Sequence, residues 1–492
     1  MTSFNLNLIT TYSLSAFFAL VLAGSLINSN LFVYPTLTSY YLFTLSIGII
    51  TILTACLYIK KSWRFTFTLQ IKLVALWLVY LLLHGLFVKQ LTHVHNYYIA
   101  SLILLLTSAI AFRHPEFSLS GLYHFIFGFA LLEALICIAQ YFSFIESRSR
   151  FFQVTGTYEN PNVTAMFMAI TLPIFLTLLS TGNAVKRKFI YGSLILVFIA
   201  LILLACRTAI IGSVIGVLVF ATLKYGLIKR LKDRRNRQGV ILLAVTGLLA
   251  GLYIAKSLYQ LKKDSADGRI FIWKTSLNMI LQNPLSGVGY GLFEKEYNLY
   301  QARYIQAGKA SPAELLNAGH VKMAYNEFIQ QGTEGGLPGL CLFLLVVAFL
   351  LRVPLPDKVE KNIPANSIYG YLPTKYLATD QITAAYSGVV VFVWMSVVNF
   401  TIQAIPAWCI FLLYTAVLNR YLPAGNKVYS EIFKMKGNKG LTGGLLILTG
   451  AGICYFQFRE ASSQRINKIA GNLLQQKSTN QKLSLLSGLE KG

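Results

Sequence analysis

Apolar runs of about 20 residues alternate with short basic loops along almost the whole chain, the spacing at which single helices cross a bilayer. About 13 such runs can be marked. They lie at 10–28, 40–58, 71–88, 97–112, 122–144, 162–181, 189–205, 208–225, 240–257, 336–352, 383–400, 404–420 and 441–457. The pattern predicts an all-α polytopic membrane protein with about 12–13 transmembrane helices. The run from Thr10 to Asn28 has neither a basic leader nor a small-residue cleavage site, so it reads as the first span. No internal repeat is visible.

The basic residues orient these spans. Clusters at Lys60, Lys61 and Arg64, at Lys186–Lys188, at Lys229–Arg237 and at Lys427–Lys439 all fall on one side when the spans between them are counted. The positive-inside rule makes that side cytoplasmic, with the amino terminus. Segments 29–39, 89–96, 145–161 and 258–335, and the turn at Ala205–Arg207, are then expected outside. The chain divides into an N-terminal bundle (1–257), a large outer loop (258–335), C-terminal spans (336–457) and a tail (458–492). The tail is expected outside, as a short amphipathic helix.

The outer loop is the one long polar interruption. It holds GRIFIWKTSLNMILQNPLSGVGYG (Gly268–Gly291) and HVKMAYNEFIQQGTEGGLPG (His320–Gly339). Phe271, Trp273, Leu277 and Ile280 approximate helical spacing, Asn283-Pro284 is a stop, and Tyr325, Phe328 and Ile329 open a further helical face. A helical cap against the membrane follows, not a linker. The glycines at 287, 289 and 291 predict a tight backbone turn. A phosphate loop would need a strand before it and a βαβ setting, and neither is available.

Composition agrees with the spans. The 492 residues are 55% hydrophobic and 12% charged, against roughly 25% charged in soluble domains. The net charge of +25 sits in loops between apolar runs, which is a membrane pattern and excludes nucleic acid as the partner. The six cysteines lie in or beside apolar segments without metal-ligand spacing, so they read as small buried hydrophobes.

Candidate chemistry gathers on the outer side. Arg207, at the mouth of a span, and Arg269, at the opening of the loop, share that face, where two guanidiniums could clamp a diphosphate. Each alone also fits a snorkelling or surface arginine. His320, the one histidine of the loop, suits a general base for an acceptor hydroxyl, with Glu327 and Glu334 as alternatives. Tyr325 and Asn326 could orient a sugar or a phosphate. Tyr158, Glu159, Asn160 and Asn162 precede a span, either as its N-cap or as a polar rim for a saccharide. No Asp-x-Asp pair or His/Asp/Glu cluster lies outside, so no metal site is expected. Glu133 and His84 are isolated ionisable groups within spans.

In motif order the chain resembles the O-antigen ligase and Wzy-polymerase superfamily, in a Bacteroidetes-like variant. Gly156–Asn162 (G-x-x-x-N-P-N) precedes a span and Arg207–Ala209 (R-T-A) opens a later one. Gly268–Trp273 (G-R-x-x-x-W) and Asn283–Phe293 (N-P-L-x-G-V-G-x-G-x-F) follow, and Asn326–Gly339 (N-E-F-x-Q-x-x-x-E-x-G-x-x-G) closes the set. The resemblance implies a membrane glycosyltransferase of the C-type fold with a periplasmic cap in the bacterial inner membrane. It implies an undecaprenyl-diphosphate-linked glycan donor, inversion at the anomeric carbon, and no cofactor. Arg207 and Arg269 match the two arginines that hold the diphosphate. The family histidine has no counterpart, its positions being Met323 and Tyr325, with His320 about one turn earlier.

The expected function is therefore transfer of a saccharide to an acceptor hydroxyl on the periplasmic face, O-antigen ligase-like with lipid A core as acceptor. Polymerisation onto a glycan repeat and protein O-glycosylation share the chemistry. A non-catalytic transporter or lipid-binding protein is the reading of another class.

Overall fold

The computed structural model describes residues 37–60, 67–87, 91–112, 119–181, 183–227, 263–353, 375–422, 430–431 and 439–489, with a few positions before 37. The described chain is helical apart from one two-residue antiparallel ladder, so the all-α expectation holds. Among the described residues seven helices precede the cap: α1 (Leu37–Lys60), α2 (Leu69–Phe87), α3 (His93–Ala111), α4 (Leu119–Tyr141), α5 (Pro161–Thr181), α6 (Ala184–Leu203) and α7 (Arg207–Tyr225). The cap holds α8 (Lys263–Gln282), α9 (Phe293–Gln306) and α10 (Pro312–Leu316). Four more follow: α11 (Glu327–Leu351), α12 (Lys375–Ser396), α13 (Ile405–Arg420) and α14 (Lys439–Leu489).

Eight described helices are long and apolar enough to cross a membrane: α1–α5, α7, α11 and α14. Three further expected spans are also helices. Of these, α6 carries Lys186, Arg187 and Lys188 in its first turns, and α12 carries Asp380. The third, α13, has 16 residues. The expected spans at 10–28 and 240–257 lie almost wholly outside the described residues.

α13 is apolar around its circumference and buried from Ile405 to Asn419, which makes it the centre of the bundle. Several of its polar groups are matched by neighbours. Asn419 Oδ1 accepts from Thr68 Oγ1 at 2.7 Å, and the Thr415 carbonyl accepts from Gln70 Nε2 at 3.0 Å. Tyr414 donates its hydroxyl to the Ile170 carbonyl at 2.8 Å. Such matching is what burial of polar groups away from water requires.

Two contacts bring several helix ends together at one end of the bundle. Strand β1 (Phe67–Thr68), just after Lys60, Lys61 and Arg64, pairs with β2 (Ser430–Glu431), between α13 and the lysines before α14. At the same end Lys224 meets Asp380 at 3.1 Å and also bonds Ser180, joining the ends of α7, α12 and α5. The opposite end carries the starts of α5, α7, α11 and α13, and hence the cap. The tail departs from expectation. It is not a separate short helix but the continuation of the last span, in a single 51-residue helix.

Candidate functional site

The cap is built on α8, whose apolar stripe places Phe271, Met279 and Ile280 in the protein interior. Phe293 and Tyr297 of α9 pack with Ile272, Met279 and Val321 in a small second core. Trp273 Nε1 donates to the Ala324 carbonyl at 2.9 Å, and Asn298 brackets Val321 with bonds of 2.9 and 3.1 Å. These bonds fix the irregular strand of chain from 317 to 326 across the cap.

The two glycine motifs turn out to be halves of one joint. Within α11 the backbone breaks at Gly336, at φ 63° and ψ −171°. Pro338 has no N–H to give to the Glu334 carbonyl, and the break turns Leu337 N away from the Thr333 carbonyl. The turn after α8 replaces both donors: Val288 N donates to Thr333 O at 2.8 Å and Gly289 N to Glu334 O at 2.9 Å. Leu337 N in return donates to Pro284 O at 2.7 Å, and Tyr80 donates to Gly335 O. Gly287, Gly289 and Gly291 all have positive φ, as the predicted turn requires.

This joint sets the stretch from Tyr325 to Glu327 at the mouth of the bundle. Asn326 caps α11, its Oδ1 accepting from Phe328 N at 2.9 Å and Ile329 N at 3.1 Å. Glu327 is buried, and its Oε1 accepts from Ile402 N at 2.7 Å. Tyr325 takes a left-handed conformation (φ 52°), uncommon for an aromatic residue, and its ring lies 5.2 Å from the Arg269 guanidinium. Arg269 Nη1 donates to the Val398 carbonyl at 2.6 Å. Burial lowers the Arg269 pKa from its ordinary value. Tyr325 and Cys206 oppose that shift, and the Arg207 charge adds to it. Arg207, the first residue of α7, therefore lies within electrostatic reach of Arg269. No carboxylate pairs with Arg269 among the described residues.

The other expected residues have their own contacts. His320 is exposed, and its Nε2 meets Glu294 Oε1 of α9 at 2.7 Å. Tyr158 and Asn160 lie in a loop held by α4, with Asn162 in the first turn of α5: Glu133 accepts from Thr157 N at 3.0 Å, and Gln140 Oε1 accepts from Thr155 N and Gly156 N. Asn160 Oδ1 accepts from Asn162 N at 3.0 Å before Pro161 opens α5, which is the capping arrangement. Asn160→Ala is expected to lower stability by about 1 kcal/mol. Thermal unfolding of the detergent-solubilised protein measures it, and an unchanged midpoint would remove the capping role. His84, isolated in the sequence, bonds the Ser286 carbonyl at 2.7 Å, so it braces the glycine turn.

Val398 and Ile402, in the turn between α12 and α13, were missed by sequence reasoning. Their contribution is backbone, and the one signal was a polar break (Asn399, Thr401, Gln403) between two apolar runs.

Residues 192–344 match the family model of the O-antigen ligases, Wzy_C. The match bears out the resemblance carried by the motif order. The ligase-family stretch is less than half of the chain, running from α6 into α11 and including Arg207, Arg269, His320 and Tyr325–Glu327. No curated protein matches the chain. With the membrane-crossing helices, the ligase-family match supports a membrane glycosyltransferase of the broad ligase or polymerase type.

Proposed function

We propose that the protein transfers a saccharide from a polyprenyl (undecaprenyl) diphosphate to an acceptor hydroxyl at the periplasmic face of the bacterial inner membrane, as an O-antigen ligase does. One observation carries the reading. Arg269 lies within electrostatic reach of Arg207, is partly desolvated, and among the described residues has a carbonyl and a ring as partners. A half-buried cation next to another cation is costly unless an anion joins it. A diphosphate supplies that anion in the geometry guanidinium groups favour.

In this reading the bond between the anomeric carbon and the diphosphate oxygen breaks while the acceptor oxygen bonds to the opposite face of that carbon. Arg207 and Arg269 stabilise the charge gathering on the leaving diphosphate. The acceptor proton goes to His320. With Nε2–H given to Glu294, the Nδ1 lone pair is the one that takes it. Tyr325 aligns Arg269, while Tyr158, Asn160 and Asn162 offer a polar rim to the saccharide. The cap excludes water, and the spans hold the isoprenoid chain in the bilayer.

The test is to incubate the purified protein with a labelled polyprenyl-diphosphate glycan and lipid A core, glycan-repeat or protein acceptors, and to identify the product by mass. A product with inverted linkage to one acceptor is expected, and no product with any of them overturns the reading. His320→Ala is expected to slow transfer by about 10²–10⁴-fold with donor binding kept, as for loss of a general base. An unchanged single-turnover rate would remove His320 from the chemistry.

A further inference from the structure

The ligase-family stretch ends at residue 344, yet the surroundings of Arg269 do not. The last turn of α12 and the turn joining it to α13 touch every element that frames the arginines. Trp394 Nε1 donates to the Thr208 carbonyl at 3.3 Å, one residue beyond Arg207. The Val398 carbonyl accepts from Arg269 Nη1 at 2.6 Å. The Phe400 ring stands edge-on to Tyr325, 5.8 Å between centroids and at 76°. Ile402 N donates to Glu327 Oε1 at 2.7 Å, and the Ile402 carbonyl accepts from Tyr97 of α3 at 2.6 Å.

The turn itself is braced. Ser396 Oγ and Thr401 Oγ1 are 2.6 Å apart, Phe400 N donates to Asn399 Oδ1 at 3.1 Å, and Ala404 N donates to Phe400 O at 3.1 Å. Phe400, Thr401 and Ile402 are buried. Without this turn, Arg269 would lose the Val398 carbonyl that orients its guanidinium, and Tyr325 would lose its backing ring.

We infer that residues 394–402 form the remaining wall of the anion site, with Phe400 and Glu327 as positioning residues that hold Arg269 and Tyr325 in place for a diphosphate. Glu327 acts through Ile402: its Oε1 tethers the turn whose Val398 carbonyl orients Arg269. The role needs a hydrogen-bond acceptor at position 327 and not a charge, since the contact is a backbone N–H. It rests on the diphosphate reading above, and the experiment separates the two.

The experiment measures binding of farnesyl diphosphate to the full-length protein in detergent by titration calorimetry. Wild type, Arg269→Ala, Glu327→Ala, Glu327→Gln and Phe400→Leu are compared, each checked for a single folded species by size exclusion and thermal unfolding. Wild type is expected to bind and Arg269→Ala to lose binding. Glu327→Ala and Phe400→Leu should each weaken affinity by about 10-fold or more, the scale of one hydrogen bond to a charged or buried partner. Glu327→Gln keeps an acceptor oxygen and should restore most of the affinity. A merely structural role would lower the unfolding midpoint and leave the affinity of the folded fraction alone.

Wild-type affinity in folded Glu327→Ala and Phe400→Leu, with Arg269→Ala still deficient, overturns the positioning role and spares the anion site. Equal loss in Glu327→Gln and Glu327→Ala also overturns it, because the carboxylate charge would then be what matters. Binding that Arg269→Ala leaves unchanged, or no binding by wild type, overturns the diphosphate reading and the wall with it. Should Glu327→Ala fail to fold, Phe400→Leu decides.

Discussion

Arg269→Ala is expected to lower glycan transfer by about 10²–10³-fold, the effect of removing one preorganised donor from a developing anion. The protein should remain folded and membrane-inserted. Among the described residues Arg269 makes one hydrogen bond and one ring contact, neither of which supports the bundle core. Its removal should even relieve repulsion, since Arg207 is among the charges acting on it. Stability unchanged or raised, together with activity lost, is the signature of a group held for a ligand at some energetic cost. Arg269→Lys should recover only part of the activity, because an ammonium cannot reproduce the planar fork. Single-turnover transfer from a labelled lipid-linked glycan measures both variants. Full transfer by Arg269→Ala would remove the diphosphate clamp.

The pairing of Arg207 with Arg269 was legible because span counting puts both on one face, and apolar runs are a strong signal. The cap helix α8 was legible for a related reason. Its Phe271 and Ile280 are buried at helical spacing, and it ends at Gln282, one residue before Asn283-Pro284. Leu277 fitted the same spacing yet is half-exposed, so periodicity located the helix better than its buried face.

The remainder was hidden for physical reasons. The turn at 394–402 works through the Val398 carbonyl and the Ile402 N–H, groups that every residue carries, so side-chain type cannot announce them. His320 was singled out by residue type, as the one histidine of the loop, and its Glu294 partner was not foreseen. That contact depends on the irregular chain from His320 to Tyr325, fixed by Asn298 and Trp273, which no periodicity announces. The last span and the tail were separated by polarity. Nothing between Phe458 and Leu489 breaks a helix strongly, and the backbone continues through them.

Gly336→Ala is expected to be the most destabilising of these substitutions, costing about 3 kcal/mol or more. The backbone there (φ 63°, ψ −171°) lies in a region essentially confined to glycine. Space is a second barrier, independent of the first. A Cβ would stand 2.6 Å from the Leu285 carbonyl oxygen and 2.8 Å from that of Pro284, and these are backbone atoms that cannot swing aside. Moving them would break the Leu337 N to Pro284 O bond and pull Val288 and Gly289 from the Thr333 and Glu334 carbonyls. The joint therefore fails as a unit, leaving orphaned backbone groups in a buried setting. Activity should fall with stability, since the same segment carries Tyr325 and the Asn326 cap. Gly471→Ala supplies the contrast: a Cβ there meets nothing within 4 Å, and alanine in a helix interior is worth up to about 1 kcal/mol over glycine. Unfolding midpoints of the two variants in one detergent should move in opposite directions. A Gly336→Ala midpoint equal to wild type would mean that α11 runs straight through this position, and that the glycine turn after α8 grips something other than a break in the helix.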